Sequence, residues 1–397
     1  MKKTGSLLLL ITSAILFNSC TSTYFGRWVF WGPASIKDYE EFPSRPIDNV
    51  PPSFQFVRDT LAERKFSQFL AEFQDTLISN NGANNFEDLL ISTGSTAFLV
   101  ARGDTILYEK YFNGYERNSI NASFSIAKSI TSALVGIAID EGYIQSVDDP
   151  ITKYLPELRD SGFSSITIRH LLRMSSGIQY TDCGFLWCDE PKTYFDPNLR
   201  NVALNVKIDQ KPFLAFRYNN YHPLLLGMIL ERVTHRSVSK YFEERLWKPL
   251  GTEYPGSWLI DSHDDGFEKM EGGITARAID FLKFGSLFLN NGNWHGKQLI
   301  PERWVVESTQ RDSLDTGRSK TFYYRDMRSY NMYYKYFWWG FSKSNKQYDF
   351  YALGNLGQYI YVCPSKNLVI CRFGKDYGKI HRGWEILFRD FTNSLYE

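Results

Sequence analysis

Ser125 and Lys128 stand three residues apart in "NASFSIAKSITSALVGIAIDEGY", residues 121–143. On a helix that spacing puts both side chains on one face. The surrounding positions Ile126, Ala127, Ile130, Ala133, Leu134, Ile137 and Ala138 make the run apolar on nearly every side, as in a buried helix. An ammonium is costly to bury unless it is paired or gives up its proton. A lysine without its proton is a base, and a serine hydroxyl beside it becomes a nucleophile. The start of a helix adds backbone N–H groups and a positive dipole end that favour a developing anion. The spacing also admits a structural lysine whose ammonium snorkels to the surface.

The same spacing recurs at Ser237 and Lys240. There the segment "SVSKYFEERL" is amphipathic and charged, so Ser237 reads as an N-cap and Lys240 as solvated. Other routes to chemistry have less support. No Gly-x-Ser-x-Gly pentapeptide occurs, and the six histidines lie in unremarkable contexts; His170 in "TIRHLL" reads as a structural helix residue. No Cys-x-x-Cys or His-Glu-x-x-His is present, so no metal site is expected.

The elements that must position these residues follow from pattern. "TAFLVARGDTILYEKYF" reads as two strands around Arg102-Gly103-Asp104, a tight turn rather than an adhesion signal. A polar-faced helix is expected near Leu61 to Ile78. The helix after Ser125 is expected to end at Gly142, a C′ glycine. Helices at Pro223–Val233, Ser237–Leu246, Ala276–Leu289 and Pro301–Ser308 fill the middle of the chain. Strands at Tyr336–Phe341, Asp349–Leu353, Gln358–Cys363 and Leu368–Phe373, then a helix from Arg382 to about Leu395, close it. Strands at both ends with a helical middle predict an α+β fold with one antiparallel sheet whose two halves meet.

The chain has 397 residues and a net charge of +1, with 16% aromatics. This composition suits a globular enzyme or binding protein and gives no sign of a nucleic-acid partner. Residues 1–20 form a targeting segment: Lys2 and Lys3, the apolar run Leu7–Phe17 interrupted by Thr12 and Ser13, then Asn18-Ser19-Cys20. A small residue before Cys20 resembles a bacterial lipobox, with Cys20 as the lipidated first residue; an ordinary secretory signal is the alternative. Residues 21–58 are rich in proline and aromatics and read as a tether that wraps the body or spaces it from a membrane. The remaining domain would span 59–397. Cys183 and Cys188 enclose a short loop and could pair in an oxidising periplasm, whereas Cys363 and Cys371 read as small buried hydrophobes. The aromatic stretch at 323–340 reads as a lid or cleft wall.

Several stretches resemble, in order and spacing, the serine β-lactamases and penicillin-binding proteins, especially their class C-like serine hydrolases. They are "FSIAKSITSALVGIAIDEGYI", "SVDDPITKYLPEL", "ITIRHLLRMSSG", "FRYNNYHPLLLGMILERVT", "LWKPLG", "GGITARAIDFLKFGSLFLNNGNWHGKQLIPERWV" and "YALGNLGQYIYVCP". The resemblance covers about residues 90–395. It implies a β-lactamase-like fold, an antiparallel sheet flanked by helices plus a mainly helical subdomain. It implies an acyl-enzyme on Ser125, with Lys128 and Tyr218 of Tyr218-Asn219-Asn220 moving the proton and Asn220 donating to substrate. It places Gly354-Asn355-Leu356-Gly357-Gln358 at the family's Lys-Thr-Gly or His-x-Gly element, with Asn355 where the family carries a cation. Asn355, Gly357 and Gln358 then become substrate-binding residues, with the N–H groups of Ser125 and Gln358 as the oxyanion hole. No cofactor is implied. The expected partner is a small ester, amide or peptide, and the membrane is reached through a lipid anchor on the periplasm-facing side of a bacterial envelope. A β-lactamase or DD-peptidase, and a catalytically silent peptidoglycan-binding protein, are the alternative functions.

Overall fold

Residues 95–102 and 105–111 are two strand-forming runs, the first buried almost throughout, with Gly103 at φ +53° between them, and they fold back as a hairpin. The computed structural model describes residues 21–263, 265–313, 331–343, 346–380 and 383–395; Cys20 and the targeting segment lie outside them. Along the chain the described strands are β1 Ser44–Ile47, β2 Val57–Arg58, β3 Ser95–Arg102, β4 Thr105–Tyr111, β5 Asn121–Ala122, β6 Gly256–Leu259 and β7 Ile274–Ala276. They continue with β8 Asn293–Trp294, β9 Lys297–Gln298, β10 Met332–Lys335, β11 Trp338–Ser342, β12 Tyr348–Gly354, β13 Gln358–Cys363 and β14 Leu368–Gly374.

The main sheet has the order β10-β11-β12-β13-β14-β3-β4-β2. Its two halves, from opposite ends of the chain, meet where β14 pairs antiparallel with β3. The expectation of one antiparallel sheet needs two corrections. β2 joins its edge in parallel with β4. A second sheet, β1-β6-β7-β5, is also present, built from strands of two to four residues too short to announce themselves by alternation.

The helix Ala278–Leu289 lies on the main sheet, with Phe281 against Phe373 and both Phe284 and Phe288 against Trp338. The helix Trp384–Ser394 packs with Phe388 against Tyr359 and Tyr361. Between the sheet halves, residues 151–247 form mainly helices. The segment expected as one helix at 61–78 is two, Thr60–Glu72 and Thr76–Asn80, because Asp75 caps a new start by accepting from Leu77 N. Cys363 sits opposite Leu368 and Cys371 opposite Ile360; both are buried free thiols, while Cys183 and Cys188 form a disulfide.

Residues 21–58 lie against this body. The helix Tyr24–Trp31 and β1, which pairs with β6, hold the segment in place. Arg27 is buried there and donates to the carbonyls of Phe195 and Asp261. Its guanidinium lies over the rings of Trp31 and Phe42.

Candidate active site

β5 pairs with β7, and Ser123 N donates to Ile274 O at 2.8 Å, which fixes the chain just before the long apolar helix. Phe124 then turns through φ +43°, a strained value for a residue with a β-carbon, and Ser125 begins the helix Ile126–Asp140. Gly142 follows at φ +79°, the left-handed C′ position.

In this helix Lys128 Nζ lies 2.8 Å from Ser125 Oγ and 2.8 Å from Glu271 O. Lys128 is 1% exposed. Three other lysines among the described residues are also buried, and each has a carboxylate: Lys269 with Glu271, Lys283 with Asp280, Lys335 with Asp312. Lys128 alone among them forms no ion pair. Burial therefore pushes its pKa down to about 7, against a smaller opposing pull from Glu271 and Glu190. A neutral amine in hydrogen-bond reach of a serine hydroxyl can take its proton.

Tyr218 completes the cluster. Lys128 Nζ stands 5.1 Å from its ring centroid, and Trp339 of β11 stacks on the ring at 6.2 Å and 22°. The two nitrogen-bound hydrogens of Asn220 go to Tyr180 Oη at 3.0 Å and Thr193 Oγ1 at 3.3 Å. Thr193 itself donates to Glu190 O, so it must accept from Asn220, which fixes the amide orientation. Asn220 Oδ1 is left buried without a hydrogen-bond partner. Asn220, expected as a donor to substrate, thus has its amide hydrogens engaged by Tyr180 and Thr193.

A cleft of about 610 Å³ opens over Ser125. Its lining includes Phe124, Tyr180, Glu190, Tyr194, Tyr218, Asn220, Trp339 and the run Leu353 to Leu356. Gly354 comes so close to the turn before Ser125 that a β-carbon on it would stand 2.3 Å from Ser123 O. The end of β12, Gly354 and Asn355, therefore borders Ser125. Gly357 and Gln358 do not line the cleft. Gly357 O accepts from Arg372, and the Gln358 side chain donates to Asn355 O and Gly374 O and accepts from Gly374 N. Gly357 and Gln358, expected to touch substrate, brace the loop instead: Gly357 lies in the turn before β13, and the Gln358 side chain is bonded into the sheet. Asn355 Oδ1 accepts from Leu356 N.

Arg217, Lys375 and Arg372 do not replace the missing cation. Arg217 pairs with Asp209 at 2.7 Å, and Lys375 donates to Asn113 O. Arg372 is fully buried over Trp384 and bonded to Ser95 Oγ and to the carbonyls of Thr93, Gly357 and Asp376. None of the three lines the cleft. A carboxylate does: Glu190, raised above its ordinary pKa by burial.

Ser176 and His222 form a second buried serine pair, Oγ to Nε2 at 2.6 Å, but outside the cleft. The other ring nitrogen of His222 faces Met174 Sδ rather than a carboxylate, so no triad is formed. Sequence reasoning missed Tyr180, Glu190 and the cleft contribution of Trp28, Pro33 and Ala34. No spacing links these residues to Ser125. Of the aromatic stretch at 323–340, residues 323–330 lie outside the described residues, while Trp339 is a cleft wall. The described residues hold no group of His, Cys, Asp or Glu side chains suited to a metal ion.

A beta-lactamase family model matches residues 83–378. The chain is 26% identical over 307 residues to the 6-aminohexanoate-dimer hydrolase of Paenarthrobacter ureafaciens, covering 72% of this chain and 74% of that one. A solved Bacillus anthracis structure provisionally assigned as a 6-aminohexanoate-dimer hydrolase superposes with a TM-score of 0.75 at 23% identity. It covers 93% of this chain and 94% of its own. The D-stereospecific amidohydrolase from a Streptomyces species superposes with a TM-score of 0.57 at 20% identity, over 85% of this chain and all of its own. At these identities the two structures show the shared fold.

Proposed function

Because the chain belongs to the beta-lactamase family, we propose that it is a serine hydrolase that cleaves a small ester or amide through an acyl-enzyme on Ser125. The observation that carries this reading is Lys128: buried, without a carboxylate, and 2.8 Å from Ser125 Oγ. In the first step Lys128 takes the hydroxyl proton and Ser125 Oγ bonds to the substrate carbonyl carbon. The carbonyl oxygen becomes an oxyanion. The bonds of the turn use the amides of Ile126, Ala127 and Lys128, not that of Ser125. The amides of Ser125 and Asn355 are the pair that would hold the oxyanion. When the carbonyl re-forms, the leaving alcohol or amine takes a proton relayed through Tyr218. Water then attacks the acyl-enzyme by the same route in reverse and restores Ser125.

The cleft favours neutral or cationic substrates. A cation at position 355 would grip a carboxylate by a charge-assisted hydrogen bond worth about 1.5–3 kcal/mol. Asn355 offers none, and Glu190 adds negative charge. A β-lactamase or DD-peptidase would need to bind an anion in this cleft. The test compares kcat/KM for a neutral p-nitrophenyl ester and for nitrocefin, in wild type and Asn355→Lys. The ester wins in wild type, and the variant shifts toward nitrocefin by roughly ten- to a hundredfold. Preference for nitrocefin in wild type would replace this reading with a β-lactamase one.

We further place the chain in a bacterial envelope, held by lipid on Cys20 and facing the periplasm, on the strength of the targeting segment and lipobox. Cys20→Ser should abolish membrane partitioning. A wild-type chain that is soluble and cleaved elsewhere refutes the anchor.

A further inference from the structure

The helix Tyr24–Trp31 has two faces. Tyr24, Arg27, Trp28 and Trp31, at i, i+3, i+4 and i+7, share the side that meets the body. Trp31 packs on Phe42 and Phe195, and Trp28 lines the cleft. Phe25 and Val29, at i and i+4, remain 59% and 44% exposed. Tyr24 Oη donates to Leu186 O at 2.6 Å and so ties the helix to the disulfide loop Cys183–Cys188. That loop presents Phe185 and Trp187, 57% and 80% exposed, with rings stacked 5.0 Å apart and 4° from parallel. Two ordered aromatic rings in water beside an apolar helix face mark an interaction surface.

The chain that precedes this surface indicates what covers it. Thr21 opens the described residues, and the twenty residues before it include the apolar run Leu7–Phe17 and Cys20. From position 20 to Tyr24 is four residues, a span of at most about 14 Å when extended. An attachment of residues 1–20 to a bilayer would hold the helix at the headgroup layer. Trp and other amphipathic aromatics partition to that layer.

We propose that Phe25, Val29, Phe185 and Trp187 form a face that seats on the surface of a lipid bilayer. The segments bearing them also supply Trp28, Pro33, Asp182 and Gly184 to one rim of the cleft. Seating turns that rim toward the headgroup layer, so substrate enters beside the membrane. The proposal rests on the membrane attachment proposed above and not on the hydrolase reading, since docking needs no turnover.

Trp187 reports on it directly. The full chain is bound to phosphatidylcholine vesicles whose acyl chains carry bromine, a quencher within the bilayer. The difference in fluorescence between wild type and Trp187→Phe isolates one side chain among the ten tryptophans. The substitution at so exposed a position leaves folding intact. On brominated vesicles the Trp187 component should fall to about half or less, as expected for a side chain buried at the headgroup–acyl boundary. Aqueous acrylamide should lose access to it. Three outcomes overturn the proposal. The chain fails to bind vesicles; it binds but Trp187 stays open to acrylamide and untouched by bromine, as when the terminus alone holds it; or Trp187 is shielded from both quenchers, as when a second copy covers the face.

Discussion

Ser125–Lys128 and Ser237–Lys240 share one spacing and differ in almost everything else. Ser237 Oγ accepts from Lys240 N at 3.3 Å as an N-cap, and Lys240 Nζ reaches into water to pair with Glu243 at 2.6 Å. That pairing raises the pKa of Lys240, through its hydrogen bond to Glu243 first. In the other copy burial lowers the pKa of Lys128 to about 7, and the lysine side chain reaches back to the serine hydroxyl. Spacing alone therefore does not make a base. The surrounding residues do, apolar ones in the first case and "YFEERL" in the second.

The largest expected contrast is in turnover. Ser125→Ala and Lys128→Met should each lower kcat by at least about 10³, the scale of lost nucleophiles and bases. Ser237→Ala and Lys240→Met should leave kcat unchanged. Equal losses in the two copies would remove the distinction. Tyr218→Phe should fall between them, at about 10²–10⁴ in kcat, the usual contribution of a positioned proton donor or acceptor.

The pH dependence follows from the same difference. The reactive form has Lys128 neutral, so kcat/KM should fall about tenfold per unit as pH drops below about 7. A flat profile between pH 5 and 8 would assign the base elsewhere. Stability carries the opposite lesson. The folded-state pKa of Lys128 lies below its ordinary value, so between about 7 and 10.5 the unfolded chain binds more protons and wild-type stability rises with pH. Below 7 the full desolvation penalty is present. Lys128→Met should accordingly gain more stability relative to wild type at pH 6 than at pH 9, read by denaturant midpoints. A gain that does not vary with pH would contradict a titrating buried lysine. The smallest effect is the cap: Ser237→Ala should cost about 1 kcal/mol of stability and nothing in rate.

How much of this was legible in the sequence depended on the range of the interactions. The helix after Ser125, the β3–β4 hairpin and the four C-terminal strands are local patterns, and they appear within a few residues of their expected bounds. The pairing of β14 with β3 was also foreseeable, because both ends of the chain are strand-rich. The second sheet was not, since its strands carry no period to read. Within the site, Ser125, Tyr218, Asn220 and Asn355 line one cleft, and Lys128 lies behind Ser125 in hydrogen-bond reach of its hydroxyl. The orientation of Asn220 depends on Tyr180 and Thr193, distant in sequence. Gln358 was read for its backbone N–H, and a motif fixes a loop but not which of its residues borders the cleft, where Gly354 to Leu356 stand instead. Residues 21–58 read by composition as a tether that wraps the body or spaces it from a membrane, and composition does not choose; Arg27 and its aromatic neighbours bind them to the body through contacts that only the fold creates.

The central claim is that Ser125 is the nucleophile and that the duplicate spacing at Ser237 is inert. A fluorophosphonate probe forms a covalent bond with an activated serine, and intact-mass and peptide analysis locate it. The account predicts one adduct per chain, on Ser125, lost in both Ser125→Ala and Lys128→Met and retained in Ser237→Ala. An adduct on any other serine, or undiminished labelling in Lys128→Met, would contradict it.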